Sequence, residues 1–399
     1  MPHQRPRTLL AILEKRLAHF PVVGVLGARQ TGKSTLLREL LKGIRTINYV
    51  TLDREENRAL AARQPSLFVE GLESDEIDTV CIDEIQKVPV LFDTLKAEVD
   101  EVRRPGRFAI SGSTEFSKKT GIQESLTGRV ALLRMFPLNI QEITHAKARH
   151  PLAQLPGKIP SLPSGASLVP MKTLVQWFER GGMPGVFAVR DAEARESMFE
   201  NWLETTCTRD LAQFQIPRFN PELARRIWLA CARLEIPNRT EIARSVGKTP
   251  VQIERYLEGF KSLFTLYEVE PYRTSVGKSW FYPFDAGIAR ASGSSPGKCS
   301  RIWFLNECLS QFANSGKMRP DLFRYETSRG SKIDFVVETR DGAWALQWSD
   351  EESPGTYSLR AAEAFTERNP GMPVLVLAPC KSVHRLGKGI TIVPWNAVV

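Results

Sequence analysis

Apolar residues form short continuous runs in the first third of the chain, and each run ends in polar residues. The run FPVVGVL at residues 20–26 is typical of a buried strand, and KSTLLRELLKGI at 33–44 has helical spacing with Gly43 as a stop signal. Two more apolar runs, TVCIDEIQKVP at 79–89 and RFAISGSTEF at 107–116, follow. Strands that alternate with helices indicate a mostly parallel sheet covered on both faces. We therefore predict an α/β domain over residues 1–150.

The pattern changes after this domain. Residues 151–170 are rich in Pro, Gly and Ser, which predicts a linker. Residues 171–290 read as a helical domain, in which NRTEIARSVGKTPVQIERYLEGFKSL at 238–263 is typical of a helix-turn-helix with Thr249 as an N-cap and Pro250 at the first helical position. The segments FTLYEVEPY at 264–272 and SWFYPF at 279–284 then fit a two-stranded wing. The sequence thus predicts a helical middle domain with a winged helix.

The last segment, residues 291–399, mixes both kinds of element. It has the helical segment IWFLNECLSQFAN, the hairpin KIDFVVETRDGAWALQWSDEE at 332–352, a helix near 358–368 and the buried strand MPVLVLAP. Its hairpin turns at Arg340-Asp341-Gly342. In the hairpin, Asp334 lies on the first strand, and Gln347 and Ser349 share one face of the second by the two-residue period. We predict a third, α/β domain here.

Composition limits the class of protein. No run approaches the ~18 apolar residues of a membrane helix, and the amino terminus lacks the features of a secretory signal. The six cysteines are scattered without a CxxC pair, which argues against a disulfide framework or a zinc ribbon. We expect a cytoplasmic protein with no membrane partner. The net charge of +9 is compatible with a polyanionic partner such as DNA, but does not require one.

The stretch GARQTGKS at 27–34 satisfies the pattern GxxxxGK[ST] and lies between a predicted strand and a predicted helix. Backbone N–H groups of such a loop, at a helix N-terminus, cradle the phosphates of a nucleotide. Lys33 is expected to reach the β- and γ-phosphates and Ser34 to ligate Mg²⁺. The predicted nucleotide-binding residues are Gly27, Ala28, Arg29, Gln30, Thr31, Gly32, Lys33, Ser34 and Thr35.

Two later runs carry the chemistry that such a loop needs. Asp83, at the end of one run, is expected to support the metal, and Glu84 to polarise the attacking water. By itself, an acidic pair at a strand end would more often only begin a loop. Ser113 and Thr114 end the next run, where a polar side chain can contact the γ-phosphate or its water. The combination predicts an ATP and Mg²⁺ site with Lys33, Glu84 and Ser113 as catalytic residues.

These motifs resemble the AAA+-type P-loop ATPases. The segments GARQTGKSTLL, IDEIQKVP, SGS, SLTGRVALLRMFPLNIQEI and RGGMPGV together resemble a bacterial and archaeal group that joins an AAA+-like module to an uncharacterised C-terminal domain. The resemblance covers nearly the whole chain. It implies that Arg29 belongs to the loop, and that Arg129 or Arg209 acts as an arginine finger or sensor, unless each only forms an ion pair. A finger donated by a neighbouring subunit would make the protein a homo-oligomer.

The end of the chain resembles the PD-(D/E)XK nuclease fold in its order of elements. The resemblance places Glu307 and Asp334 at two acidic positions of that site, but Gln347 stands where the second strand acid belongs and Ser349 where the lysine belongs. Losing a hard carboxylate ligand and a cation weakens both metal binding and water activation. The acids at positions 350–352 lie just beyond the strand and could in principle substitute for the missing ligand, but they follow in a predicted loop, which lacks the strand's rigidity. We expect a nuclease-like domain that does not cleave.

Several functions fit these predictions. The leading one is a Mg²⁺-dependent ATPase that couples nucleotide state to the winged-helix and nuclease-like domains and acts on DNA or a DNA-associated partner. The alternatives are an ATP-switched protein-binding or signalling module with little turnover, and an active ATP-regulated nuclease. A small-molecule kinase fits less well because the chain is long and carries extra domains. The acidic residues Glu254 and Glu258 on the predicted second helix slightly favour a packing module over DNA reading.

Overall fold

Five parallel strands form the sheet of the first part of the chain. The computed structural model describes residues 5–115, 128–161, 169–349 and 351–399. The strands are β1 Val22–Leu26, β2 Ile47–Thr51, β3 Thr79–Asp83, β4 Phe108–Gly112 and β5 Val130–Arg134. Their order is β2-β3-β4-β1-β5, and every neighbouring pair is parallel. The predicted parallel α/β sheet is therefore confirmed.

Helices cover this sheet. They span Leu9–Leu17, Lys33–Thr35 (continued by a π-helical turn Leu36–Leu40 and a 3-10 turn Leu41–Gly43), Glu55–Arg63, Pro65–Glu70, a 3-10 turn Ile85–Lys87, and Val90–Glu101. The first helix buries Leu9, Leu13 and Leu17, spaced by four residues on one face, against the sheet. The sequence analysis did not predict β2 and β5. Both are edge strands with only one buried residue each, so neither has a continuous buried apolar run.

The contacts between residues divide the chain into two units. The first comprises residues 1–136 with 262–264, and the second comprises residues 137–261 with 265–399. The predicted boundaries at 150 and 290 differ from this division. In particular, the segments predicted as middle and C-terminal domains belong to one unit, because their strands form one sheet.

The second unit contains an eight-stranded mixed sheet and most of the helices. Its strands are β6 Leu266–Pro271, β7 Trp280–Pro283, β8 Asp321–Glu326, β9 Lys332–Thr339, β10 Gly342–Trp348, β11 Val374–Ala378, β12 His384–Gly387 and β13 Ile390–Pro394. Their order is β12-β13-β11-β10-β9-β8-β6-β7. Its described helices of four or more residues span Ile140–Thr144, Met171–Arg180, Pro184–Phe187, Ala192–Thr205, a π-helical turn Thr206–Asp210, a 3-10 turn Leu211–Phe214, Pro221–Arg233, Arg239–Ser245, Pro250–Ser262, Ala286–Ala291, Pro296–Ser315 and Thr356–Arg368.

The two helices and the hairpin predicted for a winged helix all form, whereas the winged-helix arrangement itself stays a prediction. Asn238 caps the helix Arg239–Ser245, and Thr249 and Gln252 exchange hydrogen bonds at the start of the helix Pro250–Ser262, the reciprocal arrangement of a capping box. β6 and β7 pair in an antiparallel hairpin, as predicted for a wing. β6 also pairs in parallel with β8, so the hairpin continues the large sheet instead of standing apart from it.

The C-terminal elements follow the expected order. The helix Pro296–Ser315 precedes three antiparallel strands, β8 to β10; a second helix follows, and β11 then pairs in parallel with β10. The turn at Arg340-Asp341 joins β9 to β10 as predicted. Residues 162–168 of the predicted linker lie outside the described residues, but its first part is packed: Leu152, Ala153 and Leu155 are buried. These apolar side chains make residues 151–155 part of the second unit's core, which the Pro, Gly and Ser content of the segment had obscured.

Candidate active site

The glycine loop follows β1 directly, and its shape requires glycine. A Cβ atom on Gly27 would lie 2.4 Å from the carbonyl oxygen of Met135, so no larger residue fits there without moving the backbone. Gly32 has φ of 99° and Gln30 has φ of 63°, both in the left-handed region that a tight loop needs. The helix then begins at Lys33. The backbone therefore forms the tight glycine loop that the sequence pattern predicts, and phosphate binding stays a prediction.

Lys33 folds back over this loop. Its Nζ donates hydrogen bonds to the carbonyl oxygens of Gly27 and Ala28, each at 3.0 Å, and its side chain is buried. Burial lowers the pKa of Lys33, while the nearby charges of Glu84 and Asp83 raise it. The predicted phosphate-binding cation and the two predicted acids thus lie within one electrostatic neighbourhood.

Arg7, which the sequence analysis did not predict, donates a hydrogen bond to a carbonyl of the glycine loop. The Arg7 guanidinium donates to the carbonyl of Thr31 (2.5 Å) and to that of Phe136 (2.7 Å), and the side chain is only 8% exposed. Thr31 Oγ1 in turn donates to the carbonyl of Ala28 at 2.9 Å. Arg7 precedes the first helix by two residues and belongs to no recognisable motif, so no local signal marks it.

Asp83 ends β3 and faces the loop with both carboxylate oxygens engaged. The Tyr49 hydroxyl donates to Oδ2 at 2.7 Å, and the Ser111 hydroxyl donates to Oδ1. Tyr49 lies on β2 and Ser111 on β4, the two strands that flank β3. Neutral donors orient the carboxylate without neutralising its charge, which suits a magnesium ligand.

Glu84 lies in the next position, at the point where β3 gives way to a turn. Its φ and ψ of 58° and 43° are left-handed, an uncommon conformation for a residue with a side chain. Its Oε2 accepts hydrogen bonds from Ser113 Oγ (2.7 Å) and Gln86 Nε2 (2.5 Å), and Gln86 Nε2 also lies 3.1 Å from Ser113 Oγ. Glu84 and Ser113, which were predicted separately as catalytic residues, are therefore in direct contact. Gln86 joins them, although the sequence analysis did not predict it. Thr114, the next residue, is buried.

The predicted arginines have different surroundings. Arg29 lies in the loop and is partly exposed, with its charge acting on Lys33. Arg134, at the carboxyl end of β5, also acts on Lys33, and its guanidinium stacks on the Phe264 ring. Sequence reading missed Arg134 because β5 is a weakly patterned edge strand.

Arg129 does not belong to the loop's edge of the sheet. It precedes β5, and its carbonyl accepts from the N–H of Val22, the first residue of β1, whereas the loop follows the last residue of β1. The strand of five residues separates them by about 16 Å. Its guanidinium instead forms two 2.7 Å hydrogen bonds with Asp100. A sensor role for Arg129 in its own subunit's site is therefore wrong; a finger role toward a neighbour stays a prediction.

Arg209 belongs to the second unit, where it lies on a π-helical turn, is largely exposed and contacts Asp210 at 3.3 Å. The prediction for Arg209 also stays open.

Of the four residues predicted to form a nuclease-like site, Glu307 lies apart, whereas Asp334 accepts from the N–H of Trp348, which lies between Gln347 and Ser349. Glu307 is buried, and its carboxylate accepts from the Ile140 N–H (3.1 Å) and from Gln311 Nε2 (3.0 Å). Asp334 instead faces Arg301, with Oδ1 at 2.5 Å from Arg301 Nε. Because Arg301 and Glu307 are six residues apart on one helix, their side chains point in directions about 120° apart. Glu307 therefore faces the core, and its predicted place beside Asp334 is wrong.

Gln347 lies on β10, and Ser349 directly follows that strand. Gln347 lies beside β11, and the buried Ser349 accepts from the Glu351 N–H at 3.2 Å. Glu351 and Glu352 are exposed, and Asp350 lies outside the described residues. Within the described ranges, no three His, Cys, Asp or Glu side chains are grouped so as to hold a metal ion.

Comparison with known proteins agrees with the first unit's geometry. Residues 19–144 match the model of an AAA domain. Residues 19–144 are thus similar to AAA domains, and the parallel sheet of the first unit fits a P-loop α/β domain. Residues 171–292 match a domain of unknown function, DUF8612, which assigns no activity to the second unit. In the part of the chain that the structure covers, no helix is both long and apolar enough to cross a membrane.

Similar whole proteins leave the purpose open. The chain is 28% identical to uncharacterized proteins Rv2008c of Mycobacterium tuberculosis and Mb2031c of Mycobacterium bovis; each match covers 89% of this chain and 76% of the relative. Among solved structures, the Walker-type ATPase PABY2304 of Pyrococcus abyssi aligns with 73% of this chain and 99% of its own, at 16% identity and a TM-score of 0.43.

Proposed function

We propose that the protein hydrolyses ATP with magnesium in the site of the first unit. One observation carries this: the carboxyl ends of β1, β3 and β4 bring Lys33, Asp83 and Glu84 together, with each carboxylate held by neutral donors. An anion-binding loop beside two oriented carboxylates is the arrangement that phosphoryl transfer to water needs. The AAA domain match over residues 19–144 supports the same reading.

Each residue then has one task. The loop's N–H groups and Lys33 bind the phosphates, and Lys33 exchanges its two bonds to loop carbonyls for bonds to phosphate oxygens. The Ser34 hydroxyl and the Asp83 carboxylate are hard oxygen donors that fit Mg²⁺. Bound there, magnesium would neutralise charge on the phosphates. Glu84 polarises the attacking water, with Ser113 and Gln86 fixing its carboxylate.

Two variants test this assignment. Lys33→Ala should abolish nucleotide binding, because the phosphates lose the cation closest to them. Glu84→Gln should still bind ATP, yet trap it, because the site loses its base. Nucleotide binding by fluorescence titration and phosphate release together separate these outcomes. Wild-type turnover by Glu84→Gln would show that Glu84 is not the water-activating residue.

We also propose that the second unit transmits the nucleotide state to a partner and does not cut nucleic acid. Asp334 is held by Arg301 and by the Trp348 N–H (2.7 Å), an internal ion pair in place of a second acid and a lysine. Incubating plasmid DNA with Mg²⁺ or Mn²⁺ should leave it intact, as with an Asp334→Ala control. Cleavage by the wild type and not by the control would establish an active nuclease.

The partner's chemistry is less strongly marked. Several basic side chains of the helix-turn-helix and hairpin are paired with acids: Arg244 with Glu241, Lys261 with Glu258 and Glu268, and Arg273 with Glu338. This pairing favours a protein partner over direct DNA reading, and an ATP-switched binding module remains the second candidate function. Measuring ATP turnover with single- and double-stranded DNA distinguishes the two candidates. Stimulation by DNA would indicate a protein that acts on nucleic acid, and no response would indicate a protein partner.

The resemblance-based arginine finger would require a homo-oligomer. If Arg129 or Arg209 completes a neighbour's site, specific activity should fall on dilution, and Arg209→Ala should lower turnover while leaving ATP affinity unchanged. Turnover per molecule that stays constant down to dilute monomer would exclude a finger in trans.

A further inference from the structure

Tyr49 occupies a position that neither the glycine loop nor the acidic motif assigns. It lies on β2, in register with Cys81 of β3, and its side chain reaches along the sheet to Asp83. The ring lies beneath the guanidinium of Arg38, whose carbon is 5.8 Å from the ring centroid. Tyr49 is partly buried, so neighbouring residues restrict the position of its ring.

Its hydroxyl touches both residues that the proposed function assigns to magnesium. It donates to Asp83 Oδ2 at 2.7 Å, and it is also hydrogen-bonded to the side chain of Ser34. The Ser111 hydroxyl occupies the other oxygen of Asp83. A phenol ordinarily has a pKa of about 10, so at neutral pH the hydroxyl is protonated and donates to Asp83.

We propose that Tyr49 is a positioning residue for the magnesium ion. Its phenol holds Asp83 in one rotamer and keeps the Ser34 hydroxyl beside that carboxylate, so the two oxygen donors are already close when metal and nucleotide arrive. This inference rests on the proposed function, because it concerns the same metal. It does not follow from either sequence motif, since the contact joins a residue on β2 to groups on β3 and on the glycine-loop helix.

The physical effect falls on the metal and not on the nucleotide. Mg²⁺ requires near-ideal octahedral geometry, whereas Ca²⁺ accepts flexible coordination, so a loosened Asp83 should cost Mg²⁺ more than Ca²⁺. Removing a group that orients a metal ligand typically weakens metal affinity by about 10- to 100-fold. Tyr49 is not among the loop residues predicted to bind phosphate, so metal-free nucleotide affinity should not change.

The experiment compares wild type with Tyr49→Phe, which keeps the ring and removes only the hydroxyl. The affinity for ADP is measured in EDTA by titration calorimetry, and the protein–ADP complex is then titrated with Mg²⁺ and, separately, with Ca²⁺. We expect unchanged affinity in EDTA, a half-saturating Mg²⁺ concentration raised by about tenfold or more, and a smaller rise for Ca²⁺. Ser111→Ala should change the Mg²⁺ titration in the same direction, because it releases the other oxygen of Asp83.

Tyr272→Phe is the matched control, since it removes a phenol that is bonded to a carboxylate of the second unit, Glu338 (3.2 Å). It should leave all three titrations unchanged. An unchanged Mg²⁺ titration for Tyr49→Phe would overturn the inference. So would equal losses in EDTA, Mg²⁺ and Ca²⁺, which indicate a purely structural tyrosine. If wild-type ADP affinity ignores Mg²⁺ altogether, the proposed metal site itself fails, and the inference fails with it.

Discussion

Arg107 offers a sharp test of what holds the first unit together. It immediately precedes β4, and its side chain is 8% exposed. Its Nε and Nη2 form a two-pronged pair with Glu73 at 2.7 and 2.6 Å, and Nη2 also reaches Glu98 at 2.7 Å. Nη1 donates to the Glu98 carbonyl at 2.5 Å. Replacing Arg107 by Met keeps the apolar stem and leaves two carboxylates facing each other without a cation.

The expected cost follows from burial. Removing one partner of a buried ion pair typically destabilises a protein by about 3–5 kcal/mol, because the remaining charge is left without compensation. Glu73 and Glu98 retain 22% and 16% side-chain exposure, so water relieves part of that cost. We expect about 3 kcal/mol, which for a unit of this size corresponds to a fall in Tm of roughly 10 °C.

The chain provides its own probes for this measurement. All eight tryptophans lie in the second unit, so tryptophan fluorescence reports the unfolding of that unit, whereas calorimetry reports both. Arg107→Met should lower the Tm of the first unit, which calorimetry detects. The transition of the second unit, which tryptophan fluorescence reports, should not change. Arg129→Met is the matched control, because it also removes a two-pronged pair, with Asp100, but an exposed one. A shift as small for Arg107→Met as for Arg129→Met would refute the argument from burial.

Three further predictions concern single side chains. The Gln86 amide donates to Glu84, and its Oε1 is buried without a hydrogen-bond partner among the described residues. We therefore expect Gln86→Ala to lower kcat by about tenfold or more in steady-state assays, with little change in ATP affinity. Arg7→Met should weaken nucleotide binding and lower the Tm of the first unit, with Arg7→Lys intermediate, because the loop carbonyl of Thr31 loses its donor; equal affinities would contradict this. Burial raises the pKa of Glu307 from 4.5 to about 7, so the folded protein binds a proton that the unfolded chain has released. Stability should therefore fall as pH rises from about 5 to 7, by up to about 1.4 kcal/mol per pH unit, and Glu307→Gln should flatten this slope in urea unfolding followed by tryptophan fluorescence.

Local patterns determined a large part of this protein. The glycine loop, the apolar runs that became β1, β3 and β4, and the capped helix that begins at Pro250 are encoded by neighbours in sequence: turn residues, continuous hydrophobic runs and N-caps. The sequence also predicted that Glu84 and Ser113 end neighbouring strands, and the carboxyl ends of parallel strands meet at one edge of a sheet. Their direct hydrogen bond was not predicted.

Only the tertiary structure decided which side chains complete and surround that site. Tyr49 and Arg7 reach it from an edge strand and from before the first helix, and nothing near them in sequence encodes the contact. The same holds for the corrections. Packing sets the rotation of the helix that carries both Arg301 and Glu307. As a result Arg301 lies beside Asp334, and Glu307 faces the core. A motif specifies the residue and the strand that carries it; the neighbour that a side chain meets depends on how distant elements pack, and periodicity carries no information about that.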